Sequence, residues 1–100
     1  MAINNNTSLE AKHMNIWGRA AQAAHRYLLM KEQRQEKDKQ ELEEARAALV
    51  AELATLLEIA KQLDRELPVW KQVFYVQAAQ SMAAACSITQ QEITDYLRVV

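Results

Sequence analysis

Apolar side chains recur at helical spacing along most of the chain. In residues 8–30 they fall on one arc of a helix, with charged residues opposite. Thr7 followed three residues later by Glu10 has the form of a capping box, which predicts a helix start at Thr7 or Ser8. The arc contains Leu9, Met14, Ile16, Trp17, Ala20, Ala21, Ala24, Tyr27 and Leu28.

A second stretch carries a narrower stripe of the coiled-coil type, with apolar residues at spacings of three and four. Such a stripe must pack against the first helix folded back, against a second copy of the chain, or against a partner protein. Its members are Leu42, Ala45, Leu49, Leu53, Leu56, Ala60, Leu63 and Leu67, with Val50, Leu57 and Ile59 widening or flanking it.

Residues 31–41, between these two stretches, contain no apolar side chain. Most are strong helix formers, which slightly favours one continuous helix that passes through the segment as a solvated rod. The other arrangement is a turn near Asp38, where Asp38 and Glu41 offer a second capping box.

Pro68 predicts the end of the second helix, because proline disfavours helical geometry in the residue before it. A new helix starting at Pro68 is expected to continue to Cys86, with Tyr75 pointing away from its apolar arc. Ser87 or Thr89 then caps a short last helix. The apolar arc consists of Val69, Trp70, Val73, Phe74 and Val76, and the last helix presents Ile93, Tyr96 and Leu97.

These patterns predict an all-α fold and a single small helical domain over residues 1–100. Residues 1–7 form a flexible tail, residues 8–67 a long helical part and residues 68–100 the C-terminal helices. The long helices make either a hairpin or an extended rod. The main break lies at Leu67-Pro68, and a short helical corner closes the chain.

Composition excludes several classes of function. One glycine is too few for a phosphate-binding loop, and one cysteine excludes an internal disulfide framework. The net charge of -1 comes from interleaved signs, so the chain has neither the basic stripe needed for strong nucleic-acid binding nor the acidic rows of a DNA mimic. No signal peptide or membrane-spanning run is present, so a cytoplasmic location with a reduced Cys86 is expected.

No constellation of catalytic or metal-binding residues emerges. His13 and His25 are twelve residues apart and cannot share a metal on one helical face. His13 is expected in the core and His25 at its edge, and Cys86 is expected to fill space. We therefore expect no enzymatic activity, no cofactor and no metal.

The C-terminal third has the spacing of a helix-turn-helix unit. Gln90, Gln91 and Thr94 would then face outward, where a recognition helix reads bases. From Gln72 to Val100, however, the only charged residues are Glu92, Asp95 and Arg98, so phosphate anchors are lacking. A plain helical corner is the favoured interpretation. The inward positions of the unit would be Met82, Ala83, Cys86, Ile88, Ile93 and Tyr96.

The segment around the only proline is the best candidate for binding a partner. Large aromatic residues beside a helix break are common interface anchors, although in a small chain they also serve as core. A Leu-Pro bond also exchanges slowly between cis and trans, so a prolyl isomerase could act there. The candidate contacts are Leu67, Pro68, Trp70, Phe74 and Tyr75.

The length, the near-neutral helical composition and the lone Pro68 in its Leu-Pro-Val-Trp setting resemble the phage-encoded anti-RecBCD (Abc) family of Salmonella-type lambdoid phages. The resemblance implies binding to the RecC subunit of host RecBCD in the host cytoplasm, and an altered response to Chi that favours phage recombination. It also implies that a host peptidyl-prolyl isomerase acts at Pro68.

Two other classes of function remain open from the sequence. One is a small helix-turn-helix regulator that binds DNA. The other is a self-associating helical scaffold or chaperone built on the Leu42–Leu67 stripe.

Overall fold

A computed structural model describes residues 5–33, 39–67 and 74–99 of the chain, with side chains from Leu9 onward. They form four helices, α1 (Asn5–Gln33), α2 (Lys39–Glu66), α3 (Tyr75–Ala85) and α4 (Gln90–Val99). No strand occurs within these ranges, so the predicted all-α class is confirmed. None of these helices is long and apolar enough to cross a membrane.

α1 and α2 form an antiparallel hairpin. Arg19 contacts Glu52 at 2.8 Å, and further along α1 the hydroxyl of Tyr27 accepts a hydrogen bond from Arg46 at 2.8 Å. The partner number on α2 falls as the number on α1 rises, so the two helices run in opposite directions. The continuous rod is therefore wrong and the hairpin alternative is confirmed. Residues 34–38, which include Asp38, lie outside the described residues.

α2 supplies the centre of the core, and the other three helices all pack on it. Every member of the predicted stripe is buried except Leu42, which is half-buried. Val50 and Leu57 are also buried, so the apolar face is wide enough for α1, α3 and α4. The chain therefore covers its own stripe, and no second copy is needed to bury it.

The N-terminal predictions need two corrections. α1 begins by Asn5, so Thr7 lies inside the helix, and Asn5 to Thr7 do not belong to a flexible tail. Asparagine is favoured at helix N-termini, which allows this earlier start. Met14 and Leu28, placed on the buried arc, are exposed because α2 covers only the Ala20, Ala24 and Tyr27 side of α1.

The C-terminal third departs further from the sequence prediction. α2 ends at Glu66 and α3 begins only at Tyr75, and Pro68 lies outside the described residues. Phe74 has a left-handed backbone, with φ 54° and ψ 59°, so no helix runs through it. This break shifts the helical phase: Phe74 is exposed, while Tyr75, expected to point away, packs against α1.

The α3–α4 corner forms as predicted, with Thr89 as the cap of α4. The N–H of Glu92 donates to Thr89 Oγ1 at 3.1 Å. At the end of α3 the N–H of Ile88 donates to the Ala83 carbonyl at 2.9 Å and that of Ser87 to the Ala84 carbonyl at 3.0 Å. Together with φ 58° at Ser87, these bonds define a Schellman turn.

Candidate partner-binding surface

The five candidate contact residues have different surroundings in the structure. Leu67 is buried at the end of α2, where its N–H donates to the Leu63 carbonyl at 3.0 Å. Tyr75 is half-buried, whereas Phe74 is 62 % exposed. Pro68 and Trp70 lie outside the described residues. Phe74 is thus the described member that offers a large apolar side chain to solvent.

The N-terminus of α3 is held by a side chain from α2. Phe74 provides no side-chain hydrogen bond to cap the helix. Instead, the carboxylate of Asp64 accepts hydrogen bonds from the N–H groups of Tyr75 and Val76, each at 3.0 Å. A carboxylate at this position satisfies two donors of the first turn and complements the helix dipole. Asp64 therefore fixes the point from which Phe74 and Tyr75 project.

A groove lined by aromatic side chains lies between α1 and α3. We call it the aromatic groove; its volume is about 340 Å³, and it is lined by His13, Met14, Trp17, Tyr75 and Ala78. The rings of His13 and Tyr75 meet edge to face, with centroids 4.5 Å apart, and His13 stacks on Trp17 at 6.0 Å. These contacts favour a fixed arrangement of the three rings.

Met14 contributes a flexible apolar side chain to the edge of the aromatic groove. It is 74 % exposed, the largest exposure among the apolar residues that line this groove. An unbranched thioether adapts its shape to a partner more readily than a branched side chain does. The surface thus combines aromatic rings that contact each other with the flexible side chain of Met14.

His13 is a largely buried lining residue of the aromatic groove and has an unsatisfied nitrogen. It is only 8 % exposed, and its Nε2 has no hydrogen-bond partner among the described residues. Burial lowers the pKa of His13, while the negative charge of Asp64 acts in the opposite direction. The prediction of a core position is confirmed for His13, whereas His25, expected at the edge of the core, is exposed.

The electrostatics near the groove favour uncharged forms of the rings. Burial raises the pKa of Tyr75, and the nearby carboxylates of Glu10 and Asp64 raise it further. Tyr75 is therefore a neutral phenol at physiological pH. The groove presents neutral aromatic surface to any partner.

The remaining candidate groups are not arranged for metal chemistry or for thiol catalysis. Burial raises the pKa of the Cys86 thiol, although Arg46 and Lys31 oppose this, so the reactive thiolate is disfavoured. Over the described ranges no three histidine, cysteine, aspartate or glutamate side chains converge as a metal site would require.

Arg46 joins the hairpin to the C-terminal corner. Besides Tyr27, its guanidinium donates to both carboxylate oxygens of Glu92 at 2.7 Å and to the Ser87 carbonyl at 3.2 Å. Its charge also lies 5.6 Å from the centre of the Tyr27 ring, within the range of a cation–π contact. Glu92 is thereby taken from the capping box, so only the Thr89 half of that motif forms.

The structure shows the burial that a helix-turn-helix unit predicts, but it adds no basic side chain to those counted from the sequence. Ala83, Cys86, Ile88 and Ile93 are buried, and Met82 and Tyr96 pack against them. Between Tyr75 and Val99 the only basic side chain is Arg98. The corner is therefore built as a packing unit, with little to anchor a phosphate backbone.

Sequence reasoning missed several residues of this surface. Met14 was assigned to the buried arc, and nothing linked α1 to Tyr75. Asp64 gave no local signal, because it caps a helix that begins eleven positions later. The only sequence signal for Arg46 was its position beside the stripe of α2. Its three partners gave no further signal, because they are distant from it in the sequence.

Comparison with known proteins adds no assignment: no family model, curated protein or solved structure matches this chain.

Proposed function

We propose that this protein is a phage-encoded modulator of host RecBCD that binds the RecC subunit through a protein–protein surface formed by Phe74 and the aromatic groove. The proposal combines the family resemblance with one observation: a large aromatic residue stands exposed, in a backbone conformation that costs free energy, beside a fixed aromatic groove. Strained backbone at a surface is often kept where function requires it.

The character of this surface supports binding in preference to catalysis. Aromatic and methionine side chains are enriched among interface anchors, and Phe74, Trp17 and Met14 provide both types. The neutral groove and the net charge of -1 favour an apolar contact with protein over a contact with phosphate groups. Modulation of RecBCD is then expected to leave its DNA channel accessible.

The direct test is the affinity of purified RecBCD for the protein and for Phe74→Ala. Loss of one anchor residue is expected to cost about 2 kcal/mol, which is roughly thirtyfold in Kd. Leu29→Ala, at an exposed leucine of α1 outside the aromatic groove, is the matched control and should bind like the wild type. Equal affinity for all three proteins would exclude Phe74 as an anchor.

The mode of modulation has its own test. A complex that contains RecBCD, this protein and a DNA end should form, and Chi-dependent nuclease activity should change within it. Complete loss of DNA-end binding at saturating protein would contradict the proposal. Binding of duplex DNA by the protein alone would favour the regulator, and a stable homo-oligomer would favour the scaffold.

Pro68→Ala tests the role that the resemblance assigns to this residue. The variant should stay folded, because the N-terminus of α3 is held by Asp64. It should nevertheless lose its effect on Chi-dependent nuclease activity. Thermal melting beside the nuclease assay separates the two effects, and full activity of a folded variant would remove the isomerase hypothesis.

A further inference from the structure

A second groove lies between α2 and α4 and shares no residue with the aromatic groove. We call it the acidic groove; its volume is about 580 Å³, and Ala47, Val50 and Tyr96 provide apolar lining between them. Carboxylates of Glu43 and Asp95 also line it. It is larger than the aromatic groove and opens to solvent along the last turns of α4.

The apolar stripe of α4 continues past the point where α2 covers it. Ile93, Tyr96 and Val99 follow one another at spacings of three, so each is a neighbour of the next on the helix surface. Ile93 is 3 % exposed, Tyr96 is half-buried and Val99 is 87 % exposed. The apolar series that is covered by α2 at Ile93 therefore continues as uncovered surface at Tyr96 and Val99.

Two carboxylates of the acidic groove are not neutralised by the fold. Arg46, the basic residue of its lining, is engaged by Glu92 at 2.7 Å. Glu43 and Asp95 form no ion pair with any other residue in the described parts of the chain, and Asp95 accepts one neutral hydrogen bond from Gln91 at 2.8 Å. The groove thus joins uncovered apolar surface to uncompensated negative charge.

We propose that the acidic groove is a docking site for a basic amphipathic helix of a partner protein. Such a helix would place its apolar side chains at Ala47, Tyr96 and Val99 and its lysines or arginines beside Glu43 and Asp95. Complementary charge at the edge of an apolar groove selects this occupant. A second copy of this chain would set the same carboxylates against each other, and nucleic acid would be repelled by them.

This inference goes beyond the proposed function and does not depend on it. The acidic groove can bind its helix whether or not Phe74 contacts RecC, and the two surfaces are altered by different substitutions. It would give this small protein a second, electrostatically selected contact.

The experiment uses the full chain and two fluorescein-labelled probe peptides. Both are helical peptides of about sixteen residues with leucines at i, i+3, i+4 and i+7, one with lysines and the other with glutamates at the remaining positions. Fluorescence anisotropy gives their affinities, and backbone amide NMR shifts locate the bound peptide. The variants are Glu43→Lys combined with Asp95→Lys, and Glu58→Lys, an exposed glutamate of α2 outside the groove.

The lysine peptide should bind and shift the amides of Ala47, Val50 and Tyr96, and the glutamate peptide should not bind. The double variant should weaken binding about tenfold, whereas Glu58→Lys should change it less than about twofold. Absence of binding by the lysine peptide would overturn the proposal, as would shifts confined to the aromatic groove. The double variant changes the net charge by four and Glu58→Lys changes it by two, so an equal loss per unit of charge in both would reduce the effect to overall charge and also overturn the proposal.

Discussion

At the scale of single residues, the carboxylate of Asp64 substitutes for the cap that Phe74 does not provide. It receives two N–H groups from the first turn of α3, and it comes from α2, which ends nine positions before α3 begins. Asp64 also affects the pKa of His13: burial lowers this pKa, and the negative charge of Asp64 raises it. One side chain therefore influences both the position of Phe74 and the pKa of the histidine that lines the aromatic groove.

Asp64→Ala should destabilise the protein by about 1–2 kcal/mol, because two N–H groups of α3 lose a charged acceptor. Urea unfolding measures the change. Glu66→Ala, at an exposed acid near the same end of α2, removes only a 3.3 Å contact with Gln62 and should change stability by less than about 0.5 kcal/mol. Equal effects of both substitutions would contradict the capping role.

The lowered pKa of His13 predicts that the protein loses stability as the pH falls. Its folded pKa lies below the ordinary value of 6.5, so below that pH the unfolded chain takes up a proton that the folded chain still excludes. The stabilisation is present above pH 6.5 and declines as the pH drops through and below that value. Urea midpoints at pH about 7.5 and about 5.5 measure the decline.

The His13→Phe variant keeps a ring in the same place and removes the titrating group, so it should lose much of this decline. The His25→Phe variant, changed at the exposed histidine, is the control for the same substitution outside the aromatic groove. An unchanged decline in His13→Phe would show that other groups cause it.

At the scale of the elements, helix identity followed from the sequence more reliably than helix ends did. The stripe of α2 was predicted almost residue by residue, because its period depends only on which side of one helix is buried. The reversal of chain direction between α1 and α2 was not predicted, because most of residues 31–41 are strong helix formers. The reversal results from packing of the two apolar faces against each other. The break at Phe74 was not predictable from a glycine, because the left-handed position is occupied by phenylalanine.

The Schellman turn at the end of α3 carries a serine where glycine is favoured. Ser87 has φ 58°, a conformation that costs a residue with a Cβ about 1 kcal/mol. Ser87→Gly should therefore stabilise the protein by about 0.5–1 kcal/mol, measured by thermal or urea unfolding.

The control for this substitution is Ser81→Gly, at an exposed serine inside α3. There the helical backbone gains nothing from glycine, and stability should fall by about 0.5 kcal/mol. Opposite signs at the two serines would confirm that backbone conformation is the cause, and a loss at both would refute it.

At the scale of the whole molecule, Arg46 connects parts of the chain that no sequence pattern associates. It contacts α1 through Tyr27, the Schellman turn through the Ser87 carbonyl, and α4 through Glu92. Most of the aromatic groove was equally unpredictable, since it depends on how α3 lies across α1. Contacts between distant helices follow from packing, which local patterns do not encode.

Arg46→Ala should cost about 1–2 kcal/mol, because several charge-assisted hydrogen bonds between elements are lost at once, although the pair with Glu92 is partly solvent-screened. Arg19→Ala removes the inter-helix ion pair with Glu52, in which Arg19 is 58 % exposed, and should cost less than about 0.5 kcal/mol. Urea unfolding compares the two variants. Similar costs would mean that Arg46 is an ordinary surface charge.

The burial of Cys86 makes the α3–α4 corner open to kinetic study. The chain has one cysteine, so a thiol reagent modifies a single known position. Cys86 directly follows α3 and is almost fully buried, so the reagent reaches it only when the corner opens. The rate of modification under native conditions thus measures how often this corner opens locally, separately from unfolding of the whole chain.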